Sequence, residues 1–201
     1  MSYNKRRIIN HSIAWATDSE EEYRNKNVSY LEFLRNEVGI RTKDIDDMMD
    51  LPQSWYSNRI RGGKGSHEFM LKDYEMTRAF LENLYKMSQN DIEIDPENTN
   101  INLDNIKEQA YAKRNEKIEE LLDMADMADI ESSKIDTILN KEKGWFESLD
   151  SDSDIPLTLY HRTQIFLESV LMIYAREGYL QDAQVNNMTN KGYVNPDLVS
   201  A

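Results

Sequence analysis

The sequence predicts an all-α protein made of two tandem helical subdomains related by an internal repeat. Two observations predict it. Apolar residues recur at helical spacing through most of the 201-residue chain, and no stretch alternates apolar and polar residues cleanly enough for a strand. The second observation is self-similarity. IDDMMDLPQSWYSNRIR, beginning at Ile45, aligns with IDTILNKEKGWFESLDS, beginning at Ile135, at an offset of 90. Ile45 meets Ile135, Asp46 meets Asp136, Trp55 meets Trp145 and Tyr56 meets Phe146. Upstream, Leu31, Leu34 and Ile40 meet Leu121, Met124 and Ile130. Downstream the offset falls to 86: Tyr74 meets Tyr160, Thr77 meets Thr163, and FLE at 80–82 meets FLE at 166–168. The loop after the tryptophan segment is thus four residues shorter in the second copy.

Each element follows from local signals. Residues 1–28 form an N-terminal segment, with Ile8, Ile9, Ile13 and Trp15 suited to docking and a solvated acidic run at 18–22. The first subdomain, 29–87, opens on a helix carrying Tyr30, Leu31, Leu34 and Val38 on one side. Thr42 is placed to cap a short helix over 43–49. Pro52 suits the start of a helix over 53–61, which Gly62 and Gly63 end. Ser66 then caps a helix over 67–87 with Phe69, Met70, Tyr74, Phe80, Leu81 and Leu84 as its apolar side. Residues 88–103 are polar and acidic, contain Pro96, and read as a linker. The second subdomain, 104–177, has matching helices over about 115–128, 131–139, 141–149 and 156–177, with Pro156 in the first turn of the last. The Asn-rich tail, 178–201, is weakly periodic and is expected to be mobile or ordered only against a partner.

Charge divides the chain. Its 24 basic and 37 acidic side chains give a net charge of -13. Residues 1–89 balance at 14 of each, whereas residues 90–201 hold 10 basic against 23 acidic. Such a chain is a poor general polyanion binder, because affinity for DNA comes largely from neutralising phosphates. No run of 18 apolar residues offers a membrane span, and the basic N-terminus lacks the apolar length of a secretion signal. With no cysteine there is no disulfide framework. These features lead us to expect a cytoplasmic protein.

A short helix, a tight turn and a second helix ending in a basic glycine-rich loop make a helix-turn-helix-like arrangement. The stretch TKDIDDMMDLPQSWYSNRIRGGKGS, with the aromatic helix after it, resembles the Cro/repressor-type domains common in phages. It departs from their pattern in the bulky Met48 and Met49 and in Arg61, where an acid is usual. The resemblance implies that Gln53, Ser54, Ser57 and Asn58 face bases, while Arg59, Arg61 and Lys64 meet phosphates. The residues themselves also admit a plainer reading, a solvated helix end whose cations suit the negative pole of the helix.

The second copy reverses the surface. Leu149, Ser151 and Asp154 stand where Arg59, Arg61 and Lys64 stood, and Asp150, Asp152 and Asp154 fill the loop. Asp123 and Asp126 belong to a further acidic run, EELLDMADMADIES, at helical spacing. These five aspartates are the candidate contacts to a basic partner. In size, charge and layout the chain is similar to acidic phage proteins of the anti-sigma type, which implies a basic partner in the host transcription machinery, the sigma subunit of RNA polymerase. The alternative is a sequence-specific DNA-binding repressor using the first subdomain. A calcium loop fails, because counting from Asp150 puts Ile155 where a glycine is needed and His161 where a glutamate must close the site. The three histidines, His11, His67 and His161, form no metal frame, and no phosphate-cradling or nucleophile motif occurs. The expectation is a non-enzyme with no cofactor, no metal and no small-molecule substrate.

Overall fold

The computed structural model describes residues 3–62, 68–149 and 154–193. Among them the helices in order are α1 (Tyr3–Val38), α2 (Thr42–Met48), α3 (Trp55–Arg61), α4 (Leu71–Gln89), α5 (Leu103–Met127), α6 (Ser132–Ile138), α7 (Leu157–Arg176) and α8 (Asp182–Asn190). None of these is long and apolar enough to cross a membrane. The chain packs as two compact units. The central unit holds residues 22–115 and 154–157; the terminal unit holds residues 1–21, 116–153 and 158–201. The two divisions at 21/22 and 115/116 fall inside α1 and α5, not in the polar 88–103 stretch.

In the central unit, α1 ends where Gly39 takes a left-handed φ of +78° and gives its N–H to the Arg35 carbonyl at 3.0 Å. Helix α2 begins at Thr42, preceded by Arg41 as its N-cap, so Thr42 is not the cap. Asp44 reaches back to accept the Arg41 N–H at 2.8 Å. Helices α2 and α3 pack together. The buried carboxylate of Asp46 ties them, accepting the Tyr56 N–H at 2.8 Å. The expected helix over 53–61 starts two residues late, because Ser54 sits at φ +65° and cannot lie within a right-handed helix. Tyr56 is fully buried and donates its hydroxyl to Glu32 on α1 at 2.9 Å. Burial alone would raise the Glu32 carboxyl, but hydrogen bonds from Arg35 and Tyr56 outweigh it and hold it below its ordinary range. Leu31, Leu34, Ile45, Leu71, Phe80, Leu81 and Leu84 fill the core. An antiparallel bridge, Met70 with Pro156, closes the unit, flanked by Leu71 N–H to Ile155 O and Leu157 N–H to Phe69 O, both 2.8 Å. Helix α4 therefore starts at Leu71 rather than 67; the expected cap Ser66 lies outside the described residues. Pro156 precedes α7 instead of opening it, standing at a bridge position that needs no N–H from it.

In the terminal unit, the N-terminal stretch read as a docking segment is helical from Tyr3 onward. It presents Ile9, Ser12 and Ala16 inward, and Ser12 accepts a hydrogen bond from Ser169 of α7 at 2.9 Å. Ile118, Leu121 and Met124 of α5, Ile135 of α6, and Ile165, Phe166, Val170 and Leu171 of α7 make the core. The helix expected over 141–149 is absent: residues 143–148 form turns, with Gly144 at φ +88°. Asp136 accepts the N–H groups of Gly144 at 2.6 Å and Phe146 at 2.7 Å, so the backbone is bound to a side chain where a helix would bind itself. Within the expected tail, the described residues include a helix: α8 occupies 182–190 and buries Met188 completely.

Candidate functional site

The basic island is partly consumed by folding. Gln53 and Ser54 are exposed but precede α3, and Ser57 turns its hydroxyl back to the Ser54 carbonyl at 3.2 Å. Asn58 is half-buried. The Arg59 guanidinium lies 3.9 Å from the centre of the Trp55 ring and 3.6 Å from the Asp73 carboxylate, leaving its side chain 16% exposed. Burial lowers the Arg59 pKa and raises that of Asp73, each opposed by the partner's charge. Arg59 is thus held inside the fold, while Arg61 is exposed; Lys64 lies outside the described residues. Gly62 closes α3 at φ +75°, with the Arg24 guanidinium so near that a Cβ on residue 62 would meet it at 2.1 Å. A cation there suits the negative pole of α3. Neither Arg24 nor Asp73 is legible in the sequence, because their partners are distant in the chain.

The acidic candidates separate. Asp150 and Asp152 lie outside the described residues. Asp154 is in the central unit, where it accepts the N–H groups of Lys72 and Ile155 at 3.1 Å each and stands 3.9 Å from the Lys72 ammonium. Its carboxylate serves the start of α4. Asp123 and Asp126 lie on one face of α5 in the terminal unit, with Glu119 one turn and Glu116 two turns before Asp123. Glu116, Glu119 and Asp126 are exposed, as are Asp129 and Glu131 just beyond the helix. Asp123 is engaged: its Oδ2 receives the Lys191 ammonium at 2.5 Å and the Tyr193 hydroxyl at 3.0 Å. Burial, then the hydrogen bond to Asp123, pushes the Tyr193 hydroxyl well above its ordinary pKa. Lys191 and Tyr193 went unnoticed in the sequence. The spacing of Val185 and Met188 ahead of Lys191 was the available helical signal.

This arrangement offers a row of carboxylates to cations, at the end of a helix whose last turn carries no basic residue. Among the described residues no group of three or more His, Asp and Glu is placed to hold a metal. His161, on α7, is buried, and burial followed by the charge of Lys117 pushes its pKa down to about 4. No family model matches the chain, and no curated protein and no solved structure is detectably similar to it.

Proposed function

We propose that the protein acts by binding, as a phage-type transcription modulator that engages a basic protein of the host transcription machinery through the acidic face of α5. The observation that carries this reading is the face itself. Glu116, Glu119 and Asp126 are exposed in a row, and Asp126 stands in the last turn, beside the negative pole of the helix. An acid there costs about 0.3–1 kcal/mol instead of stabilising. Helix stability does not account for Asp126, whereas attraction of a positively charged surface does. The likeness in size, charge and layout to anti-sigma proteins supports the sigma subunit of RNA polymerase as the target.

Matched details support a duplicated helix-turn-helix-like unit beneath this surface. Asp46 and Asp136 accept backbone N–H groups ten residues on; Asp50 and Asn140 both take left-handed φ, 54° and 53°; Thr77 and Thr163 both return their hydroxyls to the carbonyl four residues back, at 2.8 Å. On that scaffold DNA binding is the lesser reading, since Arg59 is committed to Trp55 and Asp73. The test is capture of purified, nuclease-treated RNA polymerase holoenzyme by the tagged chain. Wild type should retain sigma, and Glu116→Lys/Glu119→Lys/Asp126→Lys should lose it. Equal retention by both would remove the proposal.

A further inference from the structure

We propose that Lys191 and Tyr193 are an internal ligand of the acidic face of α5, displaced when the partner's basic segment arrives. This rests on the reading above that the face binds a basic protein. One carboxylate oxygen of Asp123 takes two donors, the Lys191 ammonium at 2.5 Å and the Tyr193 hydroxyl at 3.0 Å. Both come from the turn just after α8, and the ammonium lies 5.8 Å from the centre of the Tyr193 ring. The ammonium of Lys191 is the chemistry a basic partner would bring to the same carboxylate.

The contact is built to come away. Helix α8 has nine residues, too few to persist alone in water, so it depends on what it docks against. Met188, wholly buried, anchors it, and the Asn187 amide reaches the Met127 sulfur at 3.9 Å. The ion pair itself is open to water, with side chains 41% and 36% exposed for Lys191 and Asp123. Exposed pairs of this kind contribute little, and segments so lightly held open most readily. A partner segment supplying one cation to Asp123 replaces what Lys191 gave. Further cations reaching Glu119 and Asp126 gain what the tail cannot offer, and that difference drives release. The partner surface on α5 therefore includes Asp123 and continues beneath the turn after α8.

The test uses the full-length chain and fluorescein-labelled decalysine, read by anisotropy at low salt. Lys191→Met keeps the apolar stem and removes the competing charge. We expect it to bind decalysine about two- to five-fold more tightly than wild type. Lys143→Met makes the same change in net charge at another exposed lysine and should leave affinity unaltered. Lys191→Met/Asp123→Asn should lose the gain. Amide exchange should also show α8 losing protection when decalysine is added to wild type. If Lys191→Met binds no better than Lys143→Met, the internal ligand is overturned. If the triple lysine variant of Glu116, Glu119 and Asp126 then still loses binding, the acidic face survives as the partner site; if it binds like wild type, that reading falls as well. Should circular dichroism show Lys191→Met unfolded, Tyr193→Phe, which deletes one hydrogen bond and no charge, must still give a smaller gain in the same direction for the proposal to stand.

Discussion

Asp46 receives the backbone N–H of Tyr56 at 2.8 Å, and through that bond a buried carboxylate fixes the start of α3 against α2. Asp136 does the same for Phe146 at 2.7 Å. Alanine at either position strands a buried N–H, and the loss should be about 1–3 kcal/mol in each case. Asparagine keeps an oxygen acceptor and should cost less. Urea denaturation followed by circular dichroism measures both, and a midpoint unchanged in Asp46→Ala would refute the assignment.

Gly62 and Gly144 separate two costs of replacing glycine. Both have positive φ, +75° and +88°, so alanine at either carries the left-handed penalty of about 1–2 kcal/mol. Only Gly62 has a neighbour in the way, Arg24, whereas a Cβ on residue 144 meets nothing within 4 Å. Gly62→Ala should therefore lower the melting temperature more than Gly144→Ala. Adding Arg24→Ala to Gly62→Ala should recover the difference and no more. Equal melting temperatures for the two single variants would show that the Arg24 guanidinium, the far end of a flexible side chain, swings aside at no cost to the fold.

Arg59 and Arg61 are two residues apart and should behave differently. Arg59→Ala removes the cation over Trp55 and leaves a largely buried Asp73 without its partner, so stability should fall by about 1–3 kcal/mol. Arg61→Ala, at an exposed position, should stay within about 0.5 kcal/mol of wild type. Thermal melts of the two variants decide this.

The pH dependence of stability should carry the mark of His161. Its pKa in the fold is pushed down to about 4 from 6.5, so between those values the unfolded chain binds more protons than the folded one. This residue's contribution is present above pH 6.5 and is lost as pH falls towards 4, by up to about 1.4 kcal/mol per pH unit. Asp73 and Glu168 act in the opposite sense, because burial raises both; their contribution is present at low pH and lost as pH rises through the raised pKa. The informative quantity is the difference between wild type and His161→Gln, measured by urea unfolding from pH 4.5 to 7. It should narrow as the pH falls through that window, and a difference independent of pH would exclude a neutral buried imidazole.

The helices were legible wherever apolar spacing did the work. Helix α2 lies almost where 43–49 was expected, and the long apolar run of α7 lies within 156–177. The failures have local causes. Helix α1 is not legible before residue 29 because, apart from Ile9, its inward face uses Ser12 and Ala16, small or polar residues that announce no core. The 141–149 helix failed because Asp136 claims the N–H groups it would have needed, a contact between residues ten apart that no periodicity records. At the candidate site, the acidic row on α5 was visible as spacing. That Asp154 serves α4 and Asp123 serves the tail was not, because the partners lie 82 and 68 residues away.

The bridge between Met70 and Pro156 bears on how the chain is made. The hydrogen bonds of Phe69 and Leu71 wait for Ile155 and Leu157, which the ribosome adds some eighty residues later. Until then the nascent central unit has an unfilled edge, and a message cut short anywhere between would yield a product whose first helices are present but whose closure never comes. Closure of the central unit thus depends on synthesis having passed residue 157.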